Sequence, residues 1–236
     1  MVEARRILLK ISGEGFAREG ETGLDTERVK ALATQLRKLT EEKVQVACVI
    51  GGGNILRGKQ SESLGINRAT GDYMGMLATV INGLALSDAL ESNGVPTRVM
   101  SAIDVHKVCE PFIRRRALRH LDKGRVVVLV GGLGSPYFTT DTAAAQRAVE
   151  LDCSTLLKAT MVDGVYDKDP NTFDDAVLLP EVTFQQVLEQ RLRVMDQTAF
   201  TLCREHDLPI VVFDMNAENG LLAAARGEKI GTRITN

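Results

Sequence analysis

The chain has 236 residues, which is enough to bury a substantial core in one large α/β domain or in two small ones. Its 29 basic and 31 acidic residues nearly balance, so the net charge creates no long-range field that would attract nucleic acid or an anionic membrane. The composition therefore argues against nucleic-acid and membrane partners, whereas small anions can still bind at local sites.

The cysteines and the N-terminus indicate a cytoplasmic protein. Residues 1–6 lead into a strand with only about five apolar residues, too short for a signal peptide or a membrane span. The cysteines lack the CxxC spacing of redox and metal motifs, and three of them lie inside apolar runs, as reduced core residues do. These cysteines are Cys48, Cys109, Cys153 and Cys203.

Strand-like apolar runs alternate with helical patterns along the first half of the chain. A strand is predicted for residues 6–11, and Asp25 or Thr26 then caps a helix whose apolar face contains Val29, Leu32, Leu36 and Leu39. The second strand covers residues 44–50. A long amphipathic helix follows and ends at Asn93-Gly94, with an apolar face that contains Met74, Leu77, Ile81, Leu84, Ala85 and Leu90. We expect Met74, Met76 and Leu77 to be core residues.

The second half continues this alternation. It predicts strands at 97–100, 125–130, 155–159 and 209–213, helices at 111–121, 140–151, near 183–189, 196–206 and 218–226, and a long loop at 162–179. The runs at 44–50 and 125–130 show no polar alternation, which is typical of parallel strands covered on both faces. No repeat or linker interrupts the pattern, so we expect one α/β domain, residues 1–236, built on a doubly wound sheet.

Three glycine-bearing turns directly follow predicted strands, at residues 12–13, 51–53 and 131–136. In an open parallel sheet all three turns lie at the carboxyl edge, where ligands bind, so they suggest two adjacent anionic substrates. A glycine-rich turn taken alone is equally consistent with an ordinary strand-to-helix connection, but Arg57 near the second turn favours phosphate binding. The sequence contains neither a P-loop nor a dinucleotide-binding fingerprint.

Two lysines lie near the ends of predicted strands. Lys10 precedes the first glycine turn, and Lys158 repeats the pattern on another strand. Such a lysine either snorkels at the rim of the sheet or binds phosphate, and the adjacent turn favours phosphate binding for Lys10. Together with Arg57, the two lysines could neutralise charge as a phosphoryl group moves between oxygens.

The acidic residues leave alternatives open. Asp141 follows two threonines at a helix start, where capping and catalysis are equally consistent with the sequence. Three aspartates in the loop at 162–179 could hold Mg²⁺, although aspartates in a polar loop are more often solvated: Asp163, Asp167 and Asp169. The histidines have no ligand spacing, so we expect no metal site built from a side-chain cluster. The arginines at 114–119 predict a solvated helix face or a subunit contact.

An ordered set of motifs resembles the bacterial uridylate kinases of the amino acid kinase superfamily. Each motif alone is modest, but the set runs in order and nearly without gaps from about residue 6 to residue 235. It comprises Lys10-Ile11-Ser12-Gly13-Glu14, Ile50-Gly51-Gly52-Gly53-Asn54 with Arg57-Gly58, the segment 70–79, Met100-Ser101-Ala102, Tyr137-Phe138-Thr139-Thr140-Asp141, Leu157-Lys158-Ala159-Thr160, the segment 162–170, Val194-Met195-Asp196 and Gly231-Thr232.

The resemblance implies a fold, an assembly and an activity. The fold is a three-layer α/β/α sandwich around a mainly parallel sheet, the amino acid kinase fold, and the assembly is a homohexamer. The activity is transfer of the γ-phosphoryl group of Mg²⁺-bound ATP to UMP, giving UDP in pyrimidine nucleotide biosynthesis. The resemblance also implies GTP and UTP as allosteric effectors, with the polar loop at 14–23 in the region that responds to GTP.

The resemblance further implies roles for single residues, with Mg²⁺ carried by ATP. The implied catalytic residues are Lys10, Arg57, Asp141, Lys158 and Asp196. Those implied to bind ATP are Lys10, Ile11, Ser12, Gly13, Gly53, Arg57, Thr160, Tyr166 and Asp169. Those implied to bind UMP are Gly52, Asp72, Leu133, Gly134, Ser135, Pro136, Tyr137, Phe138, Thr139 and Thr140.

One turn departs from the family pattern. The family usually has Gly-Thr-Gly-Asn-Pro where this chain has residues 132–136, and its Thr and Asn are expected to hydrogen-bond the uracil. Leu133 has no side-chain donor or acceptor, so base selection would rest on Ser135 and backbone groups. The departure keeps open a second hypothesis, a nucleotide-binding storage or regulatory homologue without turnover. Retention of all the charged candidates favours the enzyme.

Overall fold

The computed structural model describes residues 5–18, 20–56, 65–170, 172–192 and 194–236. The predicted phosphate ligand Arg57 lies outside the described residues. In chain order, the elements of the first half are β1 (Arg6–Ile11), a 3₁₀ turn (Gly13–Phe16), α1 (Thr26–Glu41), β2 (Gln45–Ile50), α2 (Arg68–Ser92), β3 (Thr97–Ser101), β4 (Glu110–Pro111), α3 (Arg114–Asp122) and β5 (Val126–Val130). Those of the second half are α4 (Thr140–Glu150), β6 (Thr155–Thr160), β7 (Val165–Tyr166), β8 (Leu178–Leu179), β9 (Glu181–Thr183), α5 (Phe184–Glu189), α6 (Gln197–Glu205), β10 (Ile210–Asp214), α7 (Gly220–Arg226) and β11 (Thr232–Thr235).

A nine-stranded sheet in the order β4-β3-β5-β2-β1-β6-β10-β11-β9 forms the middle layer of the described structure. Neighbouring strands are parallel, except for the antiparallel pair β10 and β11. Because side chains alternate along a strand, Leu9 packs in a core with α1, α2 and α7, whereas Leu8 packs in a second core with α3 to α6. The predicted fold, a mainly parallel sheet between two helical layers, is confirmed.

Local sequence signals set the helix boundaries. The Asp25 side chain accepts a hydrogen bond from the Arg28 N–H at 2.9 Å and so caps α1. Asn93 is the C-cap of α2, and Gly94 takes the positive φ of 77° that ends the helix without steric cost. The helix predicted from residue 111 begins instead at Arg114, because Pro111 pairs with Ser101 in the β3–β4 ladder.

Several short strands have no counterpart in the sequence prediction. β4, β9 and β11 extend the two edges of the sheet, and β7 pairs with β8 inside the segment predicted as a loop. Each has only two to four residues, too few to show an apolar periodicity.

The long helix α2 differs from its prediction in one respect. Met76 is buried, but Met74 and Leu77 are 38 % and 49 % exposed, so their assignment to the core is wrong. Among the described helices, α2 alone is long and apolar enough by length and composition to cross a membrane. It packs against α1 and the sheet, and core helices of this kind meet the same criterion.

Candidate active site

The three glycine turns meet at one edge of the sheet, as predicted. They follow β1, β2 and β5, which are neighbours in the order β5-β2-β1-β6. The first two turns touch, since a Cβ on Gly13 would lie 2.4 Å from the Gly53 nitrogen and a Cβ on Gly51 would lie 2.7 Å from the Gly13 nitrogen. A Cβ on Gly53 would meet no described atom within 4 Å. The turn at Gly53 therefore faces open space into which a ligand can fit.

Asp141 bridges the two strand-end lysines. The Lys10 ammonium lies 2.9 Å from Asp141 Oδ1, and the Lys158 ammonium lies 2.7 Å from Oδ2. Lys10 is only 8 % exposed, so it does not snorkel at the rim of the sheet. Both lysines project to the α4 side of the sheet, on the same face as Leu8 and Leu156, and α4 carries Asp141 in its first turn. The three charges form a buried cluster with one net positive charge.

Burial and mutual attraction set the charge states of this cluster. Burial alone would raise the pKa of Asp141, but the ammonium groups of Lys10 and Lys158 outweigh it and hold that pKa below its ordinary value. Burial lowers the pKa of Lys158, and the nearby Lys10 adds to this effect, although Asp141 opposes it. Asp141 Oδ1 contacts Lys10 as an ion pair without the angles of a hydrogen bond, and it has no other described partner.

The helix cap beside this cluster is Thr139, not Asp141. The Thr139 hydroxyl accepts hydrogen bonds from the N–H groups of Asp141 and Thr142, both at 3.1 Å. Of the two roles that the sequence left open for Asp141, capping is therefore filled by its neighbour. The Asp141 carboxylate is left to pair with the two lysines.

Asp196 holds α4 and α6 together. Its side chain caps α6 at the Ala199 N–H, 3.0 Å away, and accepts hydrogen bonds from the hydroxyls of Thr139 and Thr142 at 2.5 and 3.0 Å. No described hydrogen bond or ion pair joins it to either lysine, but its negative charge acts on the pKa of Lys158. Its place in the structure is that of a residue that positions the start of α4.

A small cavity of about 230 Å³ opens beside the second glycine turn and brings together six of the residues predicted to bind UMP. Asp72, at its wall, accepts hydrogen bonds from Arg68 at 3.1 Å and from the Tyr137 N–H at 2.8 Å. Tyr137 takes a left-handed φ of 72° and is 69 % exposed. These six residues are Gly52, Asp72, Leu133, Phe138, Thr139 and Thr140, and Gly53, predicted to bind ATP, also lines the cavity.

A larger cavity of about 780 Å³ continues from the small one between α4 and α6. Leu133 and Phe138 line both cavities, so one elongated ligand could occupy the two. Ser135 lines the larger cavity, with Gln146 and Gln197 among the other polar residues. Of the predicted UMP ligands, Gly134, Pro136 and Tyr137 line neither cavity.

The residues predicted to bind ATP do not all lie together. Ser12 and Gly13 follow β1 next to Lys10, and the buried Ser12 hydroxyl has no partner among the described residues. Ile11 belongs to the core, and its carbonyl accepts a hydrogen bond from the Gly51 N–H at 2.8 Å, so its side chain does not face the site. Tyr166 and Asp169 line a cavity of about 470 Å³ beyond the end of β6.

Two of the three loop aspartates considered as possible Mg²⁺ ligands form hydrogen bonds within the protein. The Tyr166 hydroxyl donates to Asp163 at 2.6 Å, and Asp167 accepts from the Val177 N–H at 2.8 Å. Thr160, predicted to bind ATP, does not line the cavity of about 470 Å³, and its hydroxyl donates to the Val162 carbonyl at 2.6 Å. Within the described ranges, no group of three or more His, Cys, Asp or Glu side chains is placed to hold a metal ion.

No role is predicted from the sequence for three buried polar side chains behind the glycine turns. They are Asn54, Thr79 and Asn82, which are 2 %, 3 % and 0 % exposed. The signal was present in the sequence, because Thr79 and Asn82 interrupt the apolar run of α2 three residues apart, on one helix face.

Comparison with known proteins agrees with this geometry. Residues 5–214 match the amino acid kinase family. Over 230 residues, 98 % of this chain and 95 % of the relative, the sequence is 52 % identical to the uridylate kinase of Dichelobacter nodosus. The crystal structure of UMP kinase from Bacillus anthracis matches with a TM-score of 0.95 at 37 % identity, covering 98 % of this chain and 96 % of that one. The crystal structure of UMP kinase from Ureaplasma parvum matches with a TM-score of 0.94 at 38 % identity over the full length of both chains. The chain therefore belongs to the amino acid kinase family and, within it, to the uridylate kinases.

Proposed function

We propose that this protein, as a single domain spanning residues 1–236, transfers the γ-phosphoryl group of ATP to UMP and releases ADP and UDP. The observation that carries the proposal is the position of the Lys10–Asp141–Lys158 cluster. The lysines lie on β1 and β6, between the turns after β5 and β2 on one side and the segment after β6 on the other. In this order, the cationic cluster lies between an acceptor site and a donor site.

The chemistry needs little more than positioning and charge neutralisation. An oxygen of the UMP phosphate forms a bond to the γ-phosphorus, while the bond from that phosphorus to the β,γ-bridging oxygen breaks and ADP leaves. Lys10 and Lys158 stabilise the negative charge that spreads over the transferred group, and Asp141 keeps the two ammonium groups together. Arg57 is the predicted third cation.

Mg²⁺ is proposed to enter with ATP, as is usual for phosphoryl transfer by kinases. When bound, the ion neutralises charge on the transferred phosphates. Asp141 Oδ1 pairs with the Lys10 ammonium at 2.9 Å but has no hydrogen-bond partner among the described residues, so it is the carboxylate oxygen of the lysine cluster that would orient such an ion or its water.

The acceptor nucleotide fits the pair of joined cavities. Its phosphate lies toward Gly52, Gly53 and the lysine cluster, and its ribose lies near Asp72. The base reaches the larger cavity, where it meets Leu133 and Ser135. The adenosine part of ATP occupies the cavity lined by Tyr166 and Asp169, so its phosphates point toward Ser12 and Lys10.

The test is a coupled assay that follows ADP formation with UMP, CMP and dUMP as acceptors. We expect UMP-dependent turnover that far exceeds turnover with the other two. Nucleotide binding without UDP formation would refute the proposal in favour of a storage or regulatory protein. That alternative rests only on Leu133 and Ser135, and neither residue belongs to the lysine cluster.

The proposed assembly is a homohexamer in which α2 contacts another copy of the chain. Four large apolar side chains on α2 are 38 % to 49 % exposed: Tyr73, Met74, Leu77 and Ile81. Their exposure on one helix supports an interface between copies. Light scattering should give the mass of six chains, and Leu77→Lys with Ile81→Lys should reduce it. An unchanged mass in the double variant would exclude this face as an interface.

The proposed setting is the pyrimidine nucleotide pathway of the cytoplasm, with GTP as an allosteric effector and UTP as inhibitor. All four cysteines are free and buried, as expected in a reducing compartment. Gly23, at the end of the loop at 14–23, contacts the turn after β2, because its N–H donates to the Asn54 carbonyl at 2.8 Å. A ligand at that loop could therefore change the turn. Titration of the initial rate with GTP and UTP tests this regulation, and a flat response to both would contradict it.

A further inference from the structure

The inward face of α2 carries two buried polar residues, and both bind the glycine turns of the candidate site. Asn82 is fully buried, and Thr79 is 3 % exposed. Because they are three residues apart, they lie on the same face of the helix. Burying such groups is costly unless they are hydrogen-bonded, so the partners of these two residues show what they hold in place.

Asn82 fixes the turn after β2. Its side-chain amide donates to the Gly51 carbonyl at 2.8 Å and to Asn54 Oδ1 at 2.7 Å. In return, the Asn54 amide donates to Asn82 Oδ1 at 3.1 Å and to the Gly23 carbonyl at 2.6 Å. The pair of amides thus joins α2 to both ends of the turn that contains Gly52 and Gly53.

Thr79 fixes the turn after β5. Its hydroxyl accepts a hydrogen bond from the Gly131 N–H at 2.7 Å and donates to the Met76 carbonyl at 2.6 Å. Gly131 has a positive φ of 76° and starts the turn that carries Leu133. The Thr79 hydroxyl therefore links α2 to Gly131, the first residue of the turn at 131–136, which we call the acceptor loop.

Direct packing reinforces these hydrogen bonds. A Cβ on Gly52 would lie 2.7 Å from the Gly75 carbonyl and 2.9 Å from the Ala78 Cβ, so the turn after β2 rests against the α2 backbone. The same helix also carries Asp72, which binds the Tyr137 N–H farther along the acceptor loop. One rigid element thus contacts both turns.

We propose that Thr79 and Asn82 are positioning residues, which fix the turn after β2 and the turn after β5 at the separation that phosphoryl transfer requires. The inference rests on the proposed function, because it assumes that both turns hold nucleotide phosphates or the acceptor base. Neither side chain touches a substrate. Each acts through the backbone group that it binds, and α2 is the rigid helix that carries both side chains.

Thr79→Val tests the link to the acceptor loop. Valine keeps the shape of threonine but leaves the Gly131 N–H buried without a partner, so the turn should shift to find one. We expect the KM for UMP to rise about tenfold or more, with a much smaller change in the KM for ATP. Thr79→Ser restores a hydroxyl at the same place and should restore the KM for UMP.

Asn82→Leu tests the link between α2 and the turn after β2. Leucine removes the amide that holds the Gly51 carbonyl and the Asn54 side chain, and it keeps a similar volume. Because this turn borders both substrates, we expect the KM values for UMP and ATP to rise together and kcat to fall.

Thr97→Val is the matched control for a purely structural effect. Thr97 is 2 % exposed, and its hydroxyl donates to the Val95 carbonyl at 2.9 Å, away from the glycine turns. This variant should lose stability without a change in either KM. If Thr79→Val behaves in the same way, Thr79 has no positioning role. If Thr79→Val does not fold, Thr79→Ala, which also lacks an acceptor for the Gly131 N–H, replaces it, and an unchanged KM for UMP in Thr79→Ala likewise removes Thr79 from the inference.

Turnover by the wild type distinguishes a failure of the proposed function from a failure of the positioning role. Absence of UMP phosphorylation by the wild type would refute the proposed function itself. An active wild type with normal KM values in both the Thr79→Val and Asn82→Leu variants would refute only the positioning role.

Discussion

Lys10 and Lys158 are register partners on the neighbouring parallel strands β1 and β6, and both ammonium groups lie within 3 Å of the Asp141 carboxylate, at 2.9 and 2.7 Å. Register partners project to the same face of a sheet, so the two positive charges would repel each other without a carboxylate between them. Asp141 comes from the first turn of α4 on that face. The arrangement concentrates positive charge at one point of the carboxyl edge.

Replacing Lys10 tests the phosphate end of the site. Lys10→Ala should lower kcat by roughly 10²- to 10³-fold, because the ammonium matters most when charge develops during transfer. UMP binding should survive, since Lys158 still neutralises Asp141. The measurements are kcat by the coupled assay and the Kd of UMP by calorimetry. An unchanged kcat would remove Lys10 from the proposed mechanism.

Removing the bridging carboxylate should change the pH dependence of the reaction. In the wild type, burial and Lys10 lower the pKa of Lys158, and Asp141 opposes them. Asp141→Asn removes this opposing charge, so the pKa of Lys158 should fall further and the ammonium should be lost at lower pH. The alkaline limb of the kcat/KM profile should therefore move to lower pH than in the wild type. Asp141→Glu, which keeps the charge, is the control, and coinciding alkaline limbs would show that Lys158 does not need its proton.

The same substitution should also reveal a pH-dependent stability. The pKa of Asp141 in the folded protein lies below its ordinary value of 3.8, so its ion pairs contribute fully above pH 3.8. This contribution is lost as the pH falls from 3.8 through the folded-state pKa. At neutral pH, Asp141→Asn should cost about 3 to 5 kcal/mol, since it leaves two buried ammonium groups without the carboxylate that neutralises them. Urea unfolding of both proteins at several pH values measures the difference, and a gap that stays constant down to low pH would contradict the linkage.

Local patterns predicted the framework of this site well. Continuous apolar strands and glycine turns placed Lys10, Lys158 and three turns at one sheet edge, because parallel strands share a direction. The strand order and the identity of the bridging carboxylate depend on packing between distant segments. Asp141 was therefore equally consistent with a helix cap, and only the fold shows that Thr139 does the capping.

The errors have a common physical cause, which is that exposure and pairing are decided by tertiary contacts. Met74 and Leu77 have the spacing of core residues, yet the sheet reaches only one side of α2 and leaves them exposed. No individual role is predicted from the sequence for Thr79, which lies in the motif at 70–79, or for Asn82. Their importance becomes visible only when Gly131 and Gly51 lie against them.

Asp72 offers a test of the acceptor side. We expect its carboxylate to accept hydrogen bonds from the UMP ribose while it continues to hold the Tyr137 N–H. Asp72→Ala should raise the KM for UMP far more than the KM for ATP, because both lost interactions belong to the acceptor site. Arg68→Ala, which removes only the ion pair on the outer side of Asp72, should have a small effect. Equal changes in both KM values would count against this placement, and a larger change for ATP would put Asp72 at the donor site.

The departure at Leu133 gives a test of base recognition. If the uracil lies against Leu133 in the larger cavity, the missing side-chain hydrogen bond should cost on the order of 1 kcal/mol of binding free energy. Leu133→Thr should then tighten UMP binding and raise the preference for UMP over CMP, whereas a storage protein would gain no turnover. The measurement is kcat/KM for both nucleotides in the wild type and the variant, with Leu133→Val as the control of similar shape without a hydroxyl. An unchanged UMP-to-CMP ratio would mean that Leu133 does not touch the base. In that case the backbone of residues 132–136, or Gln146 and Gln197 across the same cavity, would read the base instead.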